Sequence, residues 1–308
     1  MDDHILVLGA GGFVGRHLVR ALAQRGDKVI AVSRRPVQFE LASVQLIVGE
    51  LSEPADFMPL VARSRAVVHL ASRSTPGTSA GNVMAELQDN LRPTLALLQA
   101  LQDSPQTDLL YLSSGGSLYA TESNDAAAET APILPRSYHG AGKIAAEHFI
   151  SAWCRQYGSA ATIVRPSNIY GPGQTERAGF GIIPTVLGKT TRDEPVTVWG
   201  DGSAVRDYLY IDDFVALCRS ILAAPMSAGP CTLNAASGIG VSIHDLLLAI
   251  EAVTDKPLQR NHDANRTVDA TRVVMDAILA NRLYGWTATT SLQDGLRHTW
   301  NWFNTTRH

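Results

Sequence analysis

Along the first 170 positions, short uninterrupted apolar runs alternate with longer stretches of helical spacing. The runs are ILVLGA (5–10), KVIAVS (28–33), VQLIVG (44–49), AVVHLA (66–71) and LLYLSS (109–114). They are rich in Val, Ile and Leu and lack the polar alternation of a sheet with one wet face. They therefore predict strands buried on both sides. After the first run, GRHLVRALAQRG puts Leu18, Val19 and Leu22 on one helical stripe, with Gly26 placed to cap its end. Over 82–102, Leu87, Leu91, Leu95 and Leu98 predict a second helix with a single apolar face. Strand and helix alternating in this way predict an α/β chain whose doubly wound parallel sheet is covered by helices.

Beyond residue 170 the rhythm changes. Proline and glycine become frequent, strands shorten, and helices are predicted at 179–188, 212–223 and 242–253. Residues 1–170 are expected to form one domain, to which some later segments return. Residues 171–308 are expected to form mainly a smaller α/β lobe, with a substrate cleft between the two. No internal repeat or low-complexity linker interrupts either half.

Composition narrows the functions. The chain has 308 residues, 45% hydrophobic and 18% charged, with a net charge of −3. That balance gives no reason to expect nucleic acid or an anionic membrane as partner. No apolar run approaches the roughly 20 residues that span a bilayer. A strand begins almost at once (HILVLGA), so no signal peptide is expected and a cytoplasmic location is. Cys154, Cys218 and Cys231 lie far apart and are expected to be buried free thiols. The nine histidines show no H-x-x-x-H pair, so no metal site is expected. A serine-hydrolase G-x-S-x-G elbow is absent as well.

Candidate chemistry starts at GAGGFVG, where Gly9, Gly12 and Gly15 follow a strand and open a helix. Glycines there permit a tight turn and close backbone approach, while the helix N-terminus offers amides to a pyrophosphate. The second strand ends AVSRRP. An acidic residue at that point would bind the ribose 2′-hydroxyl of NAD; Ser33, Arg34 and Arg35 instead suit the 2′-phosphate of NADP, or are solvated loop charges. Glu50, ending the third strand, is a candidate adenine contact.

Read together with VVHLAS, Asn90, LYLSSGGSLY, GKIAAEH, RPSNIYGPGQ, VWGDGSAVRDYLYIDDF and RTVD, these residues resemble the extended short-chain dehydrogenase/reductase superfamily. The similarity is to its nucleotide-sugar 4-epimerases and dehydratases, and it runs nearly the whole length of the chain. It implies a Rossmann-type NAD(P) domain, a C-terminal domain for a nucleoside diphosphate sugar such as a UDP-sugar, and a homodimer. Further cofactor contacts are implied at Phe13, Val14, Leu51, Leu70, Ala71, Ser72, Asn90 and Pro166. Substrate contacts are implied at Arg73, Asn168, Val198, Arg206 and Arg266. The two later arginines suit a forked grip on a diphosphate, against which stand ion pairs with neighbouring aspartates.

In that family a Ser or Thr, a Tyr and a Lys act together. The lysine binds the nicotinamide ribose and lowers the tyrosine pKa, and the phenolate takes the sugar hydroxyl proton. Lys143 fits; its competing role is a solvated charge paired with Glu147. Gly115 stands at the Ser/Thr position, leaving Ser117 and Ser114 as substitutes. Four residues before Lys143 stands His139, with Tyr138 one place earlier. Tyr138 would leave a different helix face unless the first turn is slipped. His139 can accept a proton, yet Lys143 would disfavour the imidazolium formed.

The expected activity is an NAD(P)-dependent UDP-hexose or UDP-N-acetylhexosamine 4-epimerase of polysaccharide or glycoconjugate biosynthesis, turning over poorly until His139 is changed to Tyr. An NADPH-dependent 4-keto nucleotide-sugar reductase and a catalytically impaired or engineered binding homologue are the alternatives.

Overall fold

The computed structural model describes residues 3–75, 77–79, 81–119, 125–176, 181–264 and 270–305. Its elements follow the predicted alternation. β1 (His4–Leu8) leads into α1 (Phe13–Arg25), then β2 (Lys28–Ser33), β3 (Val44–Val48), α2 (Pro54–Val61) and β4 (Ser64–His69). Next come α3 (Val83–Glu86), a π-helical turn (Leu87–Leu91), α4 (Arg92–Leu101), β5 (Asp108–Leu112), α5 (Gly115–Leu118), α6 (Tyr138–Tyr157) and β6 (Ala160–Pro166). The later chain forms β7 (Asn168–Tyr170), α7 (Ile182–Thr191), β8 (Val196–Trp199), β9 (Val205–Tyr210), α8 (Ile211–Ala223) and β10 (Gly229–Ala235). It ends with β11 (Gly240–Ser242), α9 (Ile243–Thr254), β12 (Arg260–Asp263), β13 (Arg272–Val273), α10 (Ile278–Tyr284) and α11 (Leu292–Thr305).

The five apolar runs form β1 to β5, which β6 and β10 extend to a seven-stranded sheet in the order β10-β6-β5-β4-β1-β2-β3. From β6 to β3 every neighbouring pair is parallel. The reversal of strand order at β1 and β4 is the Rossmann arrangement, which places its ligand crevice at the carboxyl ends of those strands. Ile5, Leu6, Val7, Val29, Ile30, Val67, Leu109 and Ile163 are almost wholly excluded from solvent, as strands covered on both faces require. β3, at the edge of the sheet, is only partly covered and does not meet that expectation. α1 packs through Leu18, Val19 and Leu22 and ends at Gly26, whose left-handed φ of 96° lets its amide bond back to the last turn.

One helical expectation is corrected. The segment 82–102 does not present its leucines on a single face. Leu98 is buried and Leu91 and Leu95 pack on the core, but Leu87 is 44% exposed. The π turn adds a residue to its loop and so rotates what precedes it by roughly 100°. α7 also begins later than predicted, at Ile182, after Gly181 with φ 77°. Cys154 and Cys218 are buried free thiols as expected, whereas Cys231 is only partly buried. Among the described residues, no helix is long and apolar enough to cross a membrane, and no cluster of side chains could hold a metal ion.

The chain divides into two compact units. The first comprises Met1–Ser114, Tyr138–Arg165 and Val215–Leu233 and contains the body of the large sheet. The second comprises Gly115–Ser137, Pro166–Phe214 and Asn234–His308. Its sheet is built on β9, which pairs antiparallel with β11 and parallel with β13 and β7; β8 and β12 form a separate parallel pair.

Candidate active site

The glycine loop is shaped by contacts that exclude side chains. Gly9 has φ 86°, and a Cβ there would fall 2.8 Å from the Ala71 amide nitrogen. At Gly15 it would fall 2.2 Å from the Gly9 carbonyl oxygen. α1 starts at Phe13 behind Gly12, which offers no side-chain cap, so the first-turn amides of Phe13, Val14 and Gly15 are left for an external acceptor. A pyrophosphate fits such a helix start.

The end of β2 answers half of its expectation. Ser33 is buried and its hydroxyl donates to the Arg35 carbonyl at 2.7 Å, so it is spent on the turn. A Cβ on Gly11 would strike that same hydroxyl. Arg34 and Arg35 are exposed, and neither pairs with a carboxylate among the described residues. Glu50 is held by Arg73, whose Nη1 donates to it at 2.6 Å and also lies 3.4 Å from Asp89. Arg73, expected at the substrate, is thus drawn to two carboxylates in the first unit. Leu51 packs on the core, and the exposed Ala71 and Ser72 follow the half-buried Leu70 beyond β4. Asn90, on the π turn, accepts from the Arg73 amide at 2.7 Å and donates to Ser74 Oγ at 2.9 Å.

On α6, Tyr138 is 45% exposed, whereas His139 and Lys143 are each 7% exposed. Residues four apart share a helix face, so His139 and Lys143 enter the same buried region and Tyr138 leaves it. Lys143 Nζ donates to the Leu112 carbonyl at 2.8 Å and lies 4.8 Å from the centre of the Tyr111 ring. Burial lowers its pKa to about 8, against the pull of Glu86 and Glu147. It is therefore not the solvated partner of Glu147. That carboxylate accepts from Ser113 Oγ at 2.5 Å and pairs with buried Arg165 at 2.6 Å.

His139 is tied on two sides. Its amide donates to Ser79 Oγ at 3.2 Å, and its Nδ1 lies 2.9 Å from Ser74 Oγ. Burial, with Lys143 adding to it, pushes its pKa down to about 3, so the imidazole is neutral at pH 7. Ser74 Oγ also donates to the buried carboxylate of Glu86. Sequence reasoning passed over Ser74, Ser79 and Glu86, and read Glu147 only as a solvated partner of Lys143. The one local signal was Gly142, whose missing side chain leaves the room that Glu86 fills.

In the second unit, the absence of a hydroxyl at position 115 has a steric cause: a Cβ on Gly115 would fall 2.0 Å from Met275 Sδ and 3.0 Å from the Pro166 carbonyl oxygen. Ser117 lies on α5, half-buried, and Pro166 is buried. Ser114, the last residue of the first unit's opening segment, is half-buried too. Asn168 is exposed on β7 and donates through Nδ2 to the Asp207 carbonyl at 2.8 Å. Val198 is only 3% exposed, so it sits within the lobe's interior. Arg206, on β9, is half-buried and donates to the Val205 carbonyl at 2.9 Å. Neighbouring Asp207 is fully buried and turned to Ser237 and the Gly238 amide. Arg266, with the rest of RTVD, lies outside the described residues.

Three comparisons bear on this arrangement. A family model described as the NAD dependent epimerase/dehydratase family matches residues 5–236. The UDP-glucose 4-epimerase of Mycolicibacterium smegmatis is 26% identical over 97% of this chain and 97% of its own length. The dTDP-4-dehydro-6-deoxy-D-allose reductase of Streptomyces bikiniensis is 31% identical over 97% of this chain and 95% of its own. Among solved structures, UDP-glucose 4-epimerase from Thermotoga maritima with UDP-glucose superposes with a TM-score of 0.92. That pair is 25% identical and covers 99% of this chain and 100% of the other.

Proposed function

The chain belongs to the NAD-dependent epimerase/dehydratase family, and from that premise we propose that it is a 4-epimerase of a UDP-hexose or UDP-N-acetylhexosamine. The observation that carries this reading is the pair His139 and Lys143, buried one turn apart on α6 with His139 neutral. A neutral imidazole is a proton acceptor at pH 7, which is what oxidation of a sugar hydroxyl demands. When bound, the nicotinamide dinucleotide supplies reversible hydride acceptance. The first-turn amides of Phe13, Val14 and Gly15 seat its pyrophosphate, and Lys143 holds its ribose. His139 removes the C4 hydroxyl proton and later returns it, while Ser117 or Ser114 orients that oxygen. Asn168, Arg206 and Arg266 grip the sugar diphosphate.

The epimerases among the relatives support this choice, and polysaccharide or glycoconjugate synthesis in the cytoplasm is the setting that suits it. Exposed Val83 and Met84 on α3 and Phe149 on α6 support a homodimer; light scattering on Phe149→Asp would read its loss. A 4-keto nucleotide-sugar reductase is the second reading, favoured by Arg34 and Arg35, which pair with no carboxylate among the described residues, and by the Streptomyces relative. Incubation with UDP-glucose and UDP-N-acetylglucosamine, each with NAD, decides between them. A C4 epimer formed without net cofactor consumption supports the epimerase. Stoichiometric NADPH consumption with a 4-keto sugar and no epimer rejects it.

A further inference from the structure

We propose that Ser74 and Glu86 form a proton relay behind His139, fixing the imidazole with its proton on Nδ1 and receiving the proton that Nε2 takes from substrate. The proposal rests on His139 as the base of the reaction above. It begins from a count of protons around one oxygen. Ser74 Oγ has three partners: Asn90 Nδ2 at 2.9 Å, His139 Nδ1 at 2.9 Å and the Glu86 carboxylate. The Asn90 amide nitrogen can only donate, and its orientation is set by its oxygen accepting from the Arg73 amide. A carboxylate can only accept. The single serine proton therefore goes to Glu86, and both oxygen lone pairs face donors. His139 Nδ1 must be one of those donors. The proton sits on Nδ1 and the lone pair on Nε2.

Two further observations tie Glu86 to this role. It is 4% exposed, and its Oε1 is buried with no hydrogen-bond partner among the described residues. A buried carboxylate left half-satisfied is costly and asks for a use. A Cβ on Gly142 would lie 2.5 Å from that same oxygen. Gly142 falls between His139 and Lys143 in α6, so the helix carrying both groups is cut away where the carboxylate lies.

The relay removes the main objection to a histidine here. Burial and Lys143 both oppose a positive imidazole. As Nε2 accepts the hydroxyl proton, the Nδ1 proton moves to Ser74 Oγ and the serine proton moves to Glu86. The substrate O–H bond breaks with its electron pair kept on oxygen, and one carboxyl O–H bond forms. Imidazole and serine both end neutral, and the return step reverses each transfer. Charged and titratable groups facing the couple are Lys143 and Glu147 on α6, with Tyr111 and His69 on the strands beneath.

Glu86 and Ser74 are positioning residues, and the test reads the imidazole directly. Nitrogen-15 spectra of histidine-labelled protein, without cofactor, are expected to show His139 as the Nδ1–H tautomer. Ser74→Ala removes the acceptor of the Nδ1 proton and Glu86→Gln removes the carboxylate that commands the serine proton, so each should move it toward Nε2–H. In the kinetic assay, Glu86→Gln should lower kcat by roughly 10²-fold with KM nearly unchanged. An Nε2–H tautomer in the unmodified protein overturns the relay, even if both variants fail to fold. So does an unchanged tautomer in variants whose circular dichroism is native. Absence of any epimer with every sugar tried would count against the proposed activity alone, since the tautomer is read without substrate.

Discussion

The carboxylate of Glu86 lies where a side chain on Gly142 would begin, with 2.5 Å between its Oε1 and the position of that Cβ. Glu86 is buried and cannot swing into water. Gly142→Ala is therefore expected to destabilise the fold by about 1–3 kcal/mol through overpacking, despite alanine's better helix propensity. It should also shift the His139 resonances. Urea denaturation with histidine spectra checks both; a more stable protein with unmoved resonances would refute the contact.

Gly115 is predicted to resist restoration of the family hydroxyl. Met275 Sδ stands 2.0 Å from where its Cβ would be. Gly115→Ser should cost about 1–3 kcal/mol, and adding Met275→Ala should recover part of the loss. Independent, additive costs in a double-mutant cycle would count against a direct clash.

Stability should fall in acid. Burial holds both His139 and His69 down to about 3 in the folded chain, against 6.5 as the ordinary value. Between those values the unfolded chain binds more protons, so stability is complete above about pH 6.5 and is lost progressively as pH falls toward 3. Melting temperatures from neutral to acid pH should drop, with a shallower slope in His69→Gln. A melting temperature independent of pH would contradict it.

Arg34 and Arg35 should set cofactor preference, since no carboxylate among the described residues neutralises them. NADP is expected to bind more tightly than NAD, and Arg34→Ala with Arg35→Ala should weaken NADP alone. Ser33→Ala should act instead through the turn, because its hydroxyl holds the Arg35 carbonyl. Equal affinities for the two cofactors by calorimetry would remove this role.

Truncating Arg206 or Arg266 should weaken UDP and UDP-sugar alike, by roughly 1.5–3 kcal/mol for each lost charged hydrogen bond. Unchanged UDP affinity in a folded variant would make them structural cations.

What the sequence determined by itself is what local periodicity and backbone chemistry encode. Unbroken Val, Ile and Leu runs marked the strands, although β3 at the sheet edge is only partly covered, and the need for glycines in a tight loop could be read from their spacing. The shared face of His139 and Lys143 followed from helix geometry, as did the exclusion of Tyr138. The wide turn at Leu87–Leu91 was not legible, since a π turn leaves no mark on leucine spacing and rotates Leu87 outward. The setting of His139 belongs to tertiary structure alone. Ser74 reaches Glu86 across 12 residues and His139 across 65, and no local pattern reports such convergence. Arg73 was drawn to Glu50 for the same reason, because the energy of an ion pair depends on distance in space and not along the chain.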